Sequence, residues 1–471
     1  MLIRFTFDNF KSFKEEVELS MVAGRSLQHP DHKILLGGTR KLEVLRTAAI
    51  FGKNASGKSN LIKALSFAKD LILRSPEYKQ TIPVTKYRLD DEYLNKPSSF
   101  KFELAIDNTI YSYGFSVTRT EIVEEWLYEI KSTTETVLFI RKGDKITLGK
   151  IDYSHWLNSS NPSNQIVNQQ MQRLYFVGED TRRNQLFLTA SVERDQPYFK
   201  SIYKWFESSL YIIRPDSKYF ETEFQLIEGT NNFSKDFEEI LKQLDTDIEG
   251  IHLDEVDVDK GFVKAYPYLD LQELINKMEP GSRAMLPMPD QRRFAIMKDK
   301  NGNVICYKLM TKHKKKFTES ESLFSSGGYD LFEINWESQG TQRLLDLIPY
   351  LFLLKDSSVT FVVDELARSL HPEVSYKLVK SILENRNLRN SQLIFSTHED
   401  YLLDFDLLRR DEIWFADKKS FCESSLYSLE EFKPRYDKDI RRGYLRGRFG
   451  GIPQVNERAL EKVLSQPEIN D

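Results

Sequence analysis

The sequence of 471 residues has little cysteine, no marked excess of either charge and no long apolar run. Its two cysteines argue against a disulfide framework and against a zinc site of paired cysteines, and they favour a reducing, cytoplasmic setting. With 67 Lys and Arg against 71 Asp and Glu, the formal charge of -4 lacks the positive field of a dedicated nucleic-acid binder. No apolar segment approaches membrane-spanning length, and the first residues, MLIRFTFDNF, alternate like a strand and not like a signal peptide.

A glycine-rich stretch is the first positive signal. Residues 51–60 read FGKNASGKSN, directly after an apolar run and before helical spacing over 58–73. The stretch matches G-x-x-x-x-G-K-[ST], in which glycines let N–H groups point at phosphate oxygens while the lysine adds charge and the serine supplies an oxygen to Mg²⁺. A plain glycine turn would leave the Lys-Ser pair and the spacing to coincidence. We predict a nucleotide site formed by Gly52, Asn54, Ala55, Ser56, Gly57, Lys58, Ser59 and Asn60.

A second signal lies in FVVDELARSLHP, residues 361–372. The apolar, β-branched run 359–363 predicts a buried parallel strand that ends at two acids. Asp364 can hold a magnesium ion together with Ser59, and Glu365 can orient or deprotonate an attacking water. Two solvated acids at a strand end are the structural alternative, but the glycine loop upstream favours catalysis. The sequence therefore predicts nucleotide hydrolysis.

Further motifs make the sequence similar to the ABC-type ATPases of the SMC, RecF and overcoming-lysogenisation-defect kind, found in DNA repair and phage defence. Residues 10–13 (FKSF) resemble the motif of the family's first strand, and residues 337–341 (ESQGT) stand in the place of its signature. Residues 370–372 resemble the D-loop, and His398 in FSTHED resembles the switch histidine. The signature lacks the double glycine of the transporter form, and Ala367-Arg368 lies between the acids and the D-loop.

The resemblance implies ATP as the nucleotide, with Mg²⁺, and two heads that face each other. The signature residues Ser338, Gln339 and Gly340 of one copy would then act on the γ-phosphate bound by the other. His398 would contact the γ-phosphate or the water. Taken alone, the signature could be an ordinary helix N-cap, and His398 an interior histidine.

Five segments carry a closer resemblance, to compact bacterial ATPases of phage-defence and abortive-infection systems. They are EEWLY at 124–128, NQLFLTAS at 184–191, ESQGTQRLL at 337–345, RRDEIWFAD at 409–417 and YLRGRFGGIP at 444–453. This resemblance implies a homo-oligomer built from head-to-head dimers, up to a hexamer. Such an ATPase would sense a phage-encoded trigger protein and hold or release a separate toxic nuclease subunit.

The element order predicts an α/β fold: an ABC-type P-loop head with a mixed β-sheet lobe, a parallel-sheet core and a helical insert. We predict an N-terminal ATPase lobe over 1–190, a helical assembly region over 191–300 and a C-terminal ATPase lobe over 301–471. Alternation over 101–128 predicts a β-meander, which we expect beside the strand of residues 45–51. Residues 280–291, rich in proline and glycine, predict an exposed loop.

Other candidate sites are weaker. Asp404 and Asp406 spell the DxD of a Toprim nuclease, but little chain follows them and a last ATPase strand explains that region better. The basic run 311–317 reads most simply as a solvated strand end. Four arginines at 441–448, interleaved with aromatics, suit an acidic partner or nucleic acid, and the sequence leaves both open. A DNA-repair ATPase that clamps DNA is thus the alternative function.

Overall fold

The computed structural model describes most of the chain. The described residues are 1–37, 42–131, 134–149, 164–215, 233–257, 271–286, 288, 290, 292–315, 328–356, 358–385, 388, 390–419, 422–435, 439–452 and 458. Within them, no helix is long and apolar enough to cross a membrane.

The strands within this part of the chain are β1 (Leu2–Asp8), β2 (Val17–Ser20), β3 (Lys33–Leu36), β4 (Leu42–Leu45), β5 (Thr47–Phe51), β6 (Ser98–Ile106), β7 (Thr109–Val117), β8 (Ile122–Lys131), β9 (Thr134–Lys142), β10 (Lys145–Leu148), β11 (Leu210–Ile213), β12 (Ile248–Val256), β13 (Arg283–Leu286), β14 (Phe294–Lys298), β15 (Val304–Lys314), β16 (Tyr329–Glu333), β17 (Thr360–Val363), β18 (Gln392–Ser396), β19 (Ile413–Lys418) and β20 (Ser424–Ser428). The helices are α1 (Lys58–Leu73), α2 (Asp91–Asn95), α3 (Asn164–Glu179), α4 (Phe187–Glu193), α5 (Lys200–Lys204), α6 (Phe233–Gln243), α7 (Leu271–Lys277), α8 (Gln339–Asp356), α9 (Pro372–Glu384) and α10 (Ile440–Leu445).

The contacts group the chain into two units. One comprises Met1–Pro215, Ser357–Ala367 and Tyr376–Asp471, and the other comprises Asp216–Asp356 and Arg368–Ser375. The predicted division into three domains stays a prediction. The described residues within 191–300 form helices, as predicted, but they also form strands β11 to β14. Strand β13 lies within residues 280–291, for which the sequence predicts an exposed loop.

A six-stranded sheet forms the core of the first unit. Its order is β11-β17-β18-β5-β19-β20, and every neighbouring pair except β19 with β20 is parallel. Strands β5, β17 and β18 are buried along their whole length, which matches their β-branched and apolar composition. The order puts β18 between β5 and β17, so the carboxyl ends of these three strands lie side by side.

A seven-stranded antiparallel sheet forms the mixed lobe of the same unit, in the order β10-β9-β8-β7-β6-β1-β2. The predicted meander is present as β6, β7 and β8, but it pairs with β1 and not with β5. Alternating burial along β6 explains the difference, because one face of that strand packs on a phenylalanine-rich core while β5 is buried on both faces. The expected position beside β5 is therefore wrong, whereas the predicted mixed lobe and parallel core are confirmed.

The second unit contains a five-stranded antiparallel sheet. Its path is β12-β15-β14-β13, with β16 paired to β15. Strands β14 and β15 form a hairpin, and Asp299 closes its turn by accepting the N–H groups of Asn301 and Asn303, both at 2.8 Å. Helix α8 follows β16 and begins at the predicted signature.

Candidate nucleotide site

The glycine loop joins strand β5 to helix α1 through a backbone with positive φ angles. Gly52, Ala55 and Gly57 have φ of 152°, 61° and 118°. A side chain cannot be accommodated at Gly52, because a Cβ atom there would lie 2.2 Å from the carbonyl oxygen of Ala416. Glycine adopts such conformations at little steric cost, which explains the two glycines that frame the loop. The curled backbone is the one that the motif predicts.

Lys58 lies on the inner side of this loop, with only 4% of its surface exposed. Its Nζ donates to the carbonyl oxygens of Gly52 at 2.7 Å and Lys53 at 3.1 Å, and lies 3.3 Å from Nδ1 of His398. Burial lowers the pKa of Lys58 to about 8, although two nearby carboxylates act in the opposite direction. The lysine charge therefore faces the loop interior, as phosphate binding requires.

The two predicted acids meet the loop at the carboxyl ends of the parallel strands. The hydroxyl of Ser59 donates to Oδ1 of Asp364 at 3.2 Å. The hydroxyl of Ser396, at the end of β18, donates to the same oxygen at 2.6 Å and accepts the N–H of Glu365 at 2.8 Å. Glu365 has a φ of 50°, a conformation that costs a non-glycine residue about 1–3 kcal/mol. The buried hydroxyl of Ser396 thus links both acids to the end of β18 by hydrogen bonds.

The residues present fit a magnesium ion. Ser59 and Asp364 offer hard oxygen ligands next to each other, and a magnesium site in a nucleotide pocket commonly takes one or two protein oxygens with phosphate and water completing its shell. No group of three or more His, Cys, Asp or Glu that could hold a metal occurs in the described ranges, so a metal bound entirely by such protein ligands is not indicated there. Ser56, inside the loop, has a buried hydroxyl that forms no hydrogen bond with any of the residues that the structure describes.

His398 lies beside the loop lysine, and both acids influence it electrostatically. Burial lowers its pKa, the charge of Lys58 lowers it further, and the two carboxylates oppose these effects without cancelling them. Because the ordinary pKa of histidine is near 6.5, a lowered value leaves the imidazole neutral at neutral pH. A neutral ring can donate one hydrogen bond and accept another.

The predicted signature residues belong to the second unit. Ser338 is exposed and caps helix α8, because its hydroxyl accepts the N–H of Thr341 at 3.0 Å. Gly340 packs closely on the residue before the D-loop, since a Cβ atom at Gly340 would lie 2.6 Å from the carbonyl oxygen of Ser369. Ser369 has a φ of 61° and its hydroxyl donates to Gln339 at 3.4 Å. The signature therefore contacts the residue that precedes the D-loop within this unit, while the glycine loop, the two acids and His398 belong to the first unit.

Motif matching missed two side chains around the loop, Ser396 and Ser424. The signal for Ser396 is its position directly before the Thr-His pair at a buried strand end. Asn60, which follows the motif serine, donates to the hydroxyl of Ser12 at 2.8 Å, and the hydroxyl of Ser424 donates to Ser12 at 2.8 Å. A Cβ atom at Gly57 would lie 2.5 Å from the Ser424 hydroxyl, so the FKSF motif and β20 pack directly on the loop.

The weaker candidates have ordinary structural roles or lie elsewhere. Asp404 accepts from Tyr376 at 3.1 Å and from the N–H of Asp406 at 2.9 Å, which makes the DxD a local turn. The basic run is strand β15 up to Lys314, and residues 316 and 317 lie outside the described residues. Of the four C-terminal arginines, Arg441 pairs with Asp400 at 3.0 Å. The other three line a groove of 310 Å³: Arg442, Arg446 and Arg448.

Comparison with known proteins identifies the family. The family model described as "AAA domain, putative AbiEii toxin, Type IV TA system" matches residues 48–149 and 179–404, which is well over half of the chain. The chain belongs to this family. The matched residues include the glycine loop, both acids, the signature and His398. No curated protein matches the sequence.

Two solved structures show a weak overall similarity to this chain. One is a crystal structure of the SMC head bound to the C-winged helix domain of ScpA, at 12% identity and a TM-score of 0.38, covering 92% of this chain and 99% of the other. The other is the SMC head domain from Thermotoga maritima, at 11% identity and a TM-score of 0.34, covering 91% of this chain and 98% of the other. At such scores neither likeness says what this chain binds or does.

Proposed function

We propose that the protein binds ATP with Mg²⁺ and hydrolyses it to ADP and phosphate. The observation that carries this proposal is the joint hydrogen bonding of Ser59, Asp364, Ser396 and Glu365 beside a curled glycine loop. In this arrangement the N–H groups of residues 52–60 and Lys58 bind the phosphates. The metal, held by Ser59 and Asp364, would neutralise phosphate charge. Glu365 orients and deprotonates the attacking water, and neutral His398 contacts the γ-phosphate or that water.

Two substitutions test the assignment because they separate binding from hydrolysis. Lys58→Ala removes the loop charge and should abolish binding of a fluorescent ATP analogue. Glu365→Gln keeps the side-chain shape but removes the base, so it should retain ATP and lose phosphate release. Normal phosphate release in both variants would refute the proposal. Binding without measurable release in the unaltered protein would instead indicate a nucleotide-gated scaffold.

Assembly is the next part of the proposal. The protein forms a homo-oligomer of head-to-head dimers, up to a hexamer, in which Ser338, Gln339 and Gly340 complete the site of the facing copy. Exposure of Ser338 at the start of α8, where helix N–H groups favour an anion, supports this role. Ser338→Arg should leave ATP binding intact and abolish hydrolysis. Mixing it with Glu365→Gln should restore part of the activity, since such dimers contain one intact composite site; no recovery would contradict a site shared between copies.

The biological role that we infer is anti-phage defence in the cytoplasm. The ATPase would sense a phage-encoded trigger protein and hold or release a separate toxic nuclease, most like the ATPase subunit of the PARIS system. Support comes from the family description, which names a toxin of a type IV toxin–antitoxin system, and from the five resembling segments. Co-expression with the neighbouring gene should protect cells from phage, and Lys58→Ala or Glu365→Gln should abolish protection. Protection that survives both changes would refute this role.

A DNA-clamping ATPase is the second candidate, and a specific surface favours it. Arg442, Arg446 and Arg448 line one groove, and guanidinium groups bind phosphates in bidentate fashion. DNA binding should then weaken steeply with salt and strengthen with ATP. Titrations that stay flat at low salt would exclude this candidate.

A further inference from the structure

A glycine turn near the C-terminal end of the described chain lies against the glycine loop. Gly450 and Gly451 have φ of 72° and 69°. A Cβ atom at Gly451 would lie 3.5 Å from Cα of Gly52 and 3.6 Å from the carbonyl oxygen of Ala416. A Cβ atom at Gly52 would in turn clash with the carbonyl oxygen of Ala416. The backbones at Gly52, Ala416 and Gly451 therefore pack on one another without side chains between them. The turn therefore forms part of the support beneath the loop.

Two tyrosines hold this turn in place. The hydroxyl of Tyr427 donates to the carbonyl oxygen of Phe449 at 2.7 Å, and the hydroxyl of Tyr444 donates to that of Gly451 at 3.0 Å. The rings of Tyr444 and Phe449 stack on Phe415 of β19, with interplanar angles of 15° and 10°. The turn is thus fixed to the strand next to β5 and not merely adjacent to it.

A charged link connects the same turn to the loop. Asp417 lies 3.1 Å from Nζ of Lys53, which is a loop residue. Burial pushes the pKa of Asp417 upward, but hydrogen bonds from the N–H groups of Gly451 and Lys418, together with Lys53, outweigh it and hold the pKa below its usual range. Asp417 therefore stays ionised and joins the turn to Lys53 at neutral pH.

These contacts end on the two residues whose carbonyl groups hold the loop lysine. Lys58 donates to the carbonyl oxygens of Gly52 and Lys53, and these are the residues that the turn and Asp417 support. We propose that the turn 449–451 is a positioning element of the nucleotide site, which sets the affinity for the triphosphate through Gly52 and Lys53. This inference rests on the proposed ATP binding. None of the contacts described for the turn involves Asp364, Glu365 or Ser396, so the turn acts on binding and not on the hydrolytic step.

The double variant Tyr427→Phe/Tyr444→Phe tests the inference, because it removes both hydrogen bonds and keeps the aromatic rings. We expect the Kd of a fluorescent ATP analogue and the KM for ATP to rise about tenfold, the effect of one to two lost hydrogen bonds, with kcat changed less than about twofold. Tyr203→Phe is the matched control, since it removes a phenol bond to the carbonyl oxygen of Leu73, at 3.1 Å, on another part of the unit. An affinity loss no greater than in this control would overturn the inference.

A second comparison guards against general loosening of the fold. A Cβ atom at Gly450 would lie 2.4 Å from the hydroxyl oxygen of Tyr427 and 3.0 Å from Oδ2 of Asp417, and the φ of 72° strains alanine in either background. Gly450→Ala should therefore weaken ATP binding in both backgrounds, but less in Tyr427→Phe, which removes the clash with the hydroxyl. Equal losses in both backgrounds would contradict the proposed contact. Lys58→Ala distinguishes the two levels of the argument. If it leaves ATP binding intact, the proposed function fails; if it abolishes binding while the double variant binds normally, only the turn's role fails.

Discussion

Replacement of Ser396 by alanine tests most directly how the structure would support hydrolysis. Its hydroxyl is completely buried, donates to Asp364 at 2.6 Å and accepts the N–H of Glu365 at 2.8 Å. Strand β18 places it there, because β18 pairs with β17 on one side and with β5 on the other. Alanine at this position keeps the strand and removes both hydrogen bonds at once.

The expected effect follows from the bonds that are lost. A hydrogen bond to a charged carboxylate contributes about 1.5–3 kcal/mol, and a buried N–H left without a partner costs about 1–3 kcal/mol. Glu365 also loses a contact that holds its left-handed backbone in place. If about 2–3 kcal/mol of this loss reaches the transition state, kcat falls roughly 30- to 160-fold. The loop and Lys58 keep their contacts, so the Kd for ATP should change by less than about threefold.

Steady-state phosphate release gives kcat and KM, and a fluorescent ATP analogue gives the Kd. Ser391→Ala is a suitable control, since Ser391 is also buried and its hydroxyl accepts the N–H of Val359, at 3.4 Å, near the opposite end of the same strand. A Ser396→Ala protein with kcat close to that of the unaltered protein, or no lower than that of Ser391→Ala, would refute the positioning role.

Three further predictions follow from the same site. Bound phosphates should raise the pKa of Lys58 from about 8, so ATP binding should be accompanied by proton uptake above pH 8 and should weaken as the pH rises further. Calorimetry of ATP binding in two buffers measures this proton uptake. Proton uptake that persists in Lys58→Arg would contradict the assignment to Lys58. His398→Ala should lower kcat about 10- to 100-fold in phosphate-release assays with little change in ATP affinity, and an equal loss of affinity would assign it to binding instead. Gly52→Ala should lower the free energy of unfolding by about 3 kcal/mol or more in urea titrations. Gly143→Ala is the control and should cost about 1 kcal/mol, because φ is also positive at Gly143 but a Cβ atom there would have no atom within 4 Å. Equal losses in the two variants would contradict the proposed clash with Ala416.

Much of the parallel core could be predicted from the sequence because its signals are local. The glycine motif fixes a turn, the apolar runs fix buried strands, and helix α1 has the predicted bounds of residues 58–73. Asp364 and His398 come together because each follows a parallel strand, and parallel strands end at one edge of a sheet. Local patterns and one topological rule therefore account for these site residues.

The rest depends on contacts between distant segments, which local patterns do not encode. The meander at 101–128 alternates well, yet alternation does not choose between β1 and β5 as its neighbour. Ser396 carries no motif of its own, and its role arises only because its strand lies between two others. Gly451 belongs to the resembling segment 444–453, and its position against Gly52, 399 residues earlier in the chain, appears only in the folded structure.

The site has two separate supports, and this separation makes the proposed chemistry testable in parts. Gly52, Lys53 and Lys58 are held by the turn at 449–451 and by Asp417, whereas Asp364 and Glu365 are held by Ser396. Ser59 of the loop contacts Asp364 directly, and His398 is also next to both groups: it lies 3.3 Å from the ammonium of Lys58, and both carboxylates influence its pKa. Loosening the turn should therefore change affinity, and loosening the acids should change turnover. If both kinds of variant lowered affinity and turnover in one fixed ratio, the two supports would have to act as one unit, and the division of roles drawn from these hydrogen bonds would be wrong.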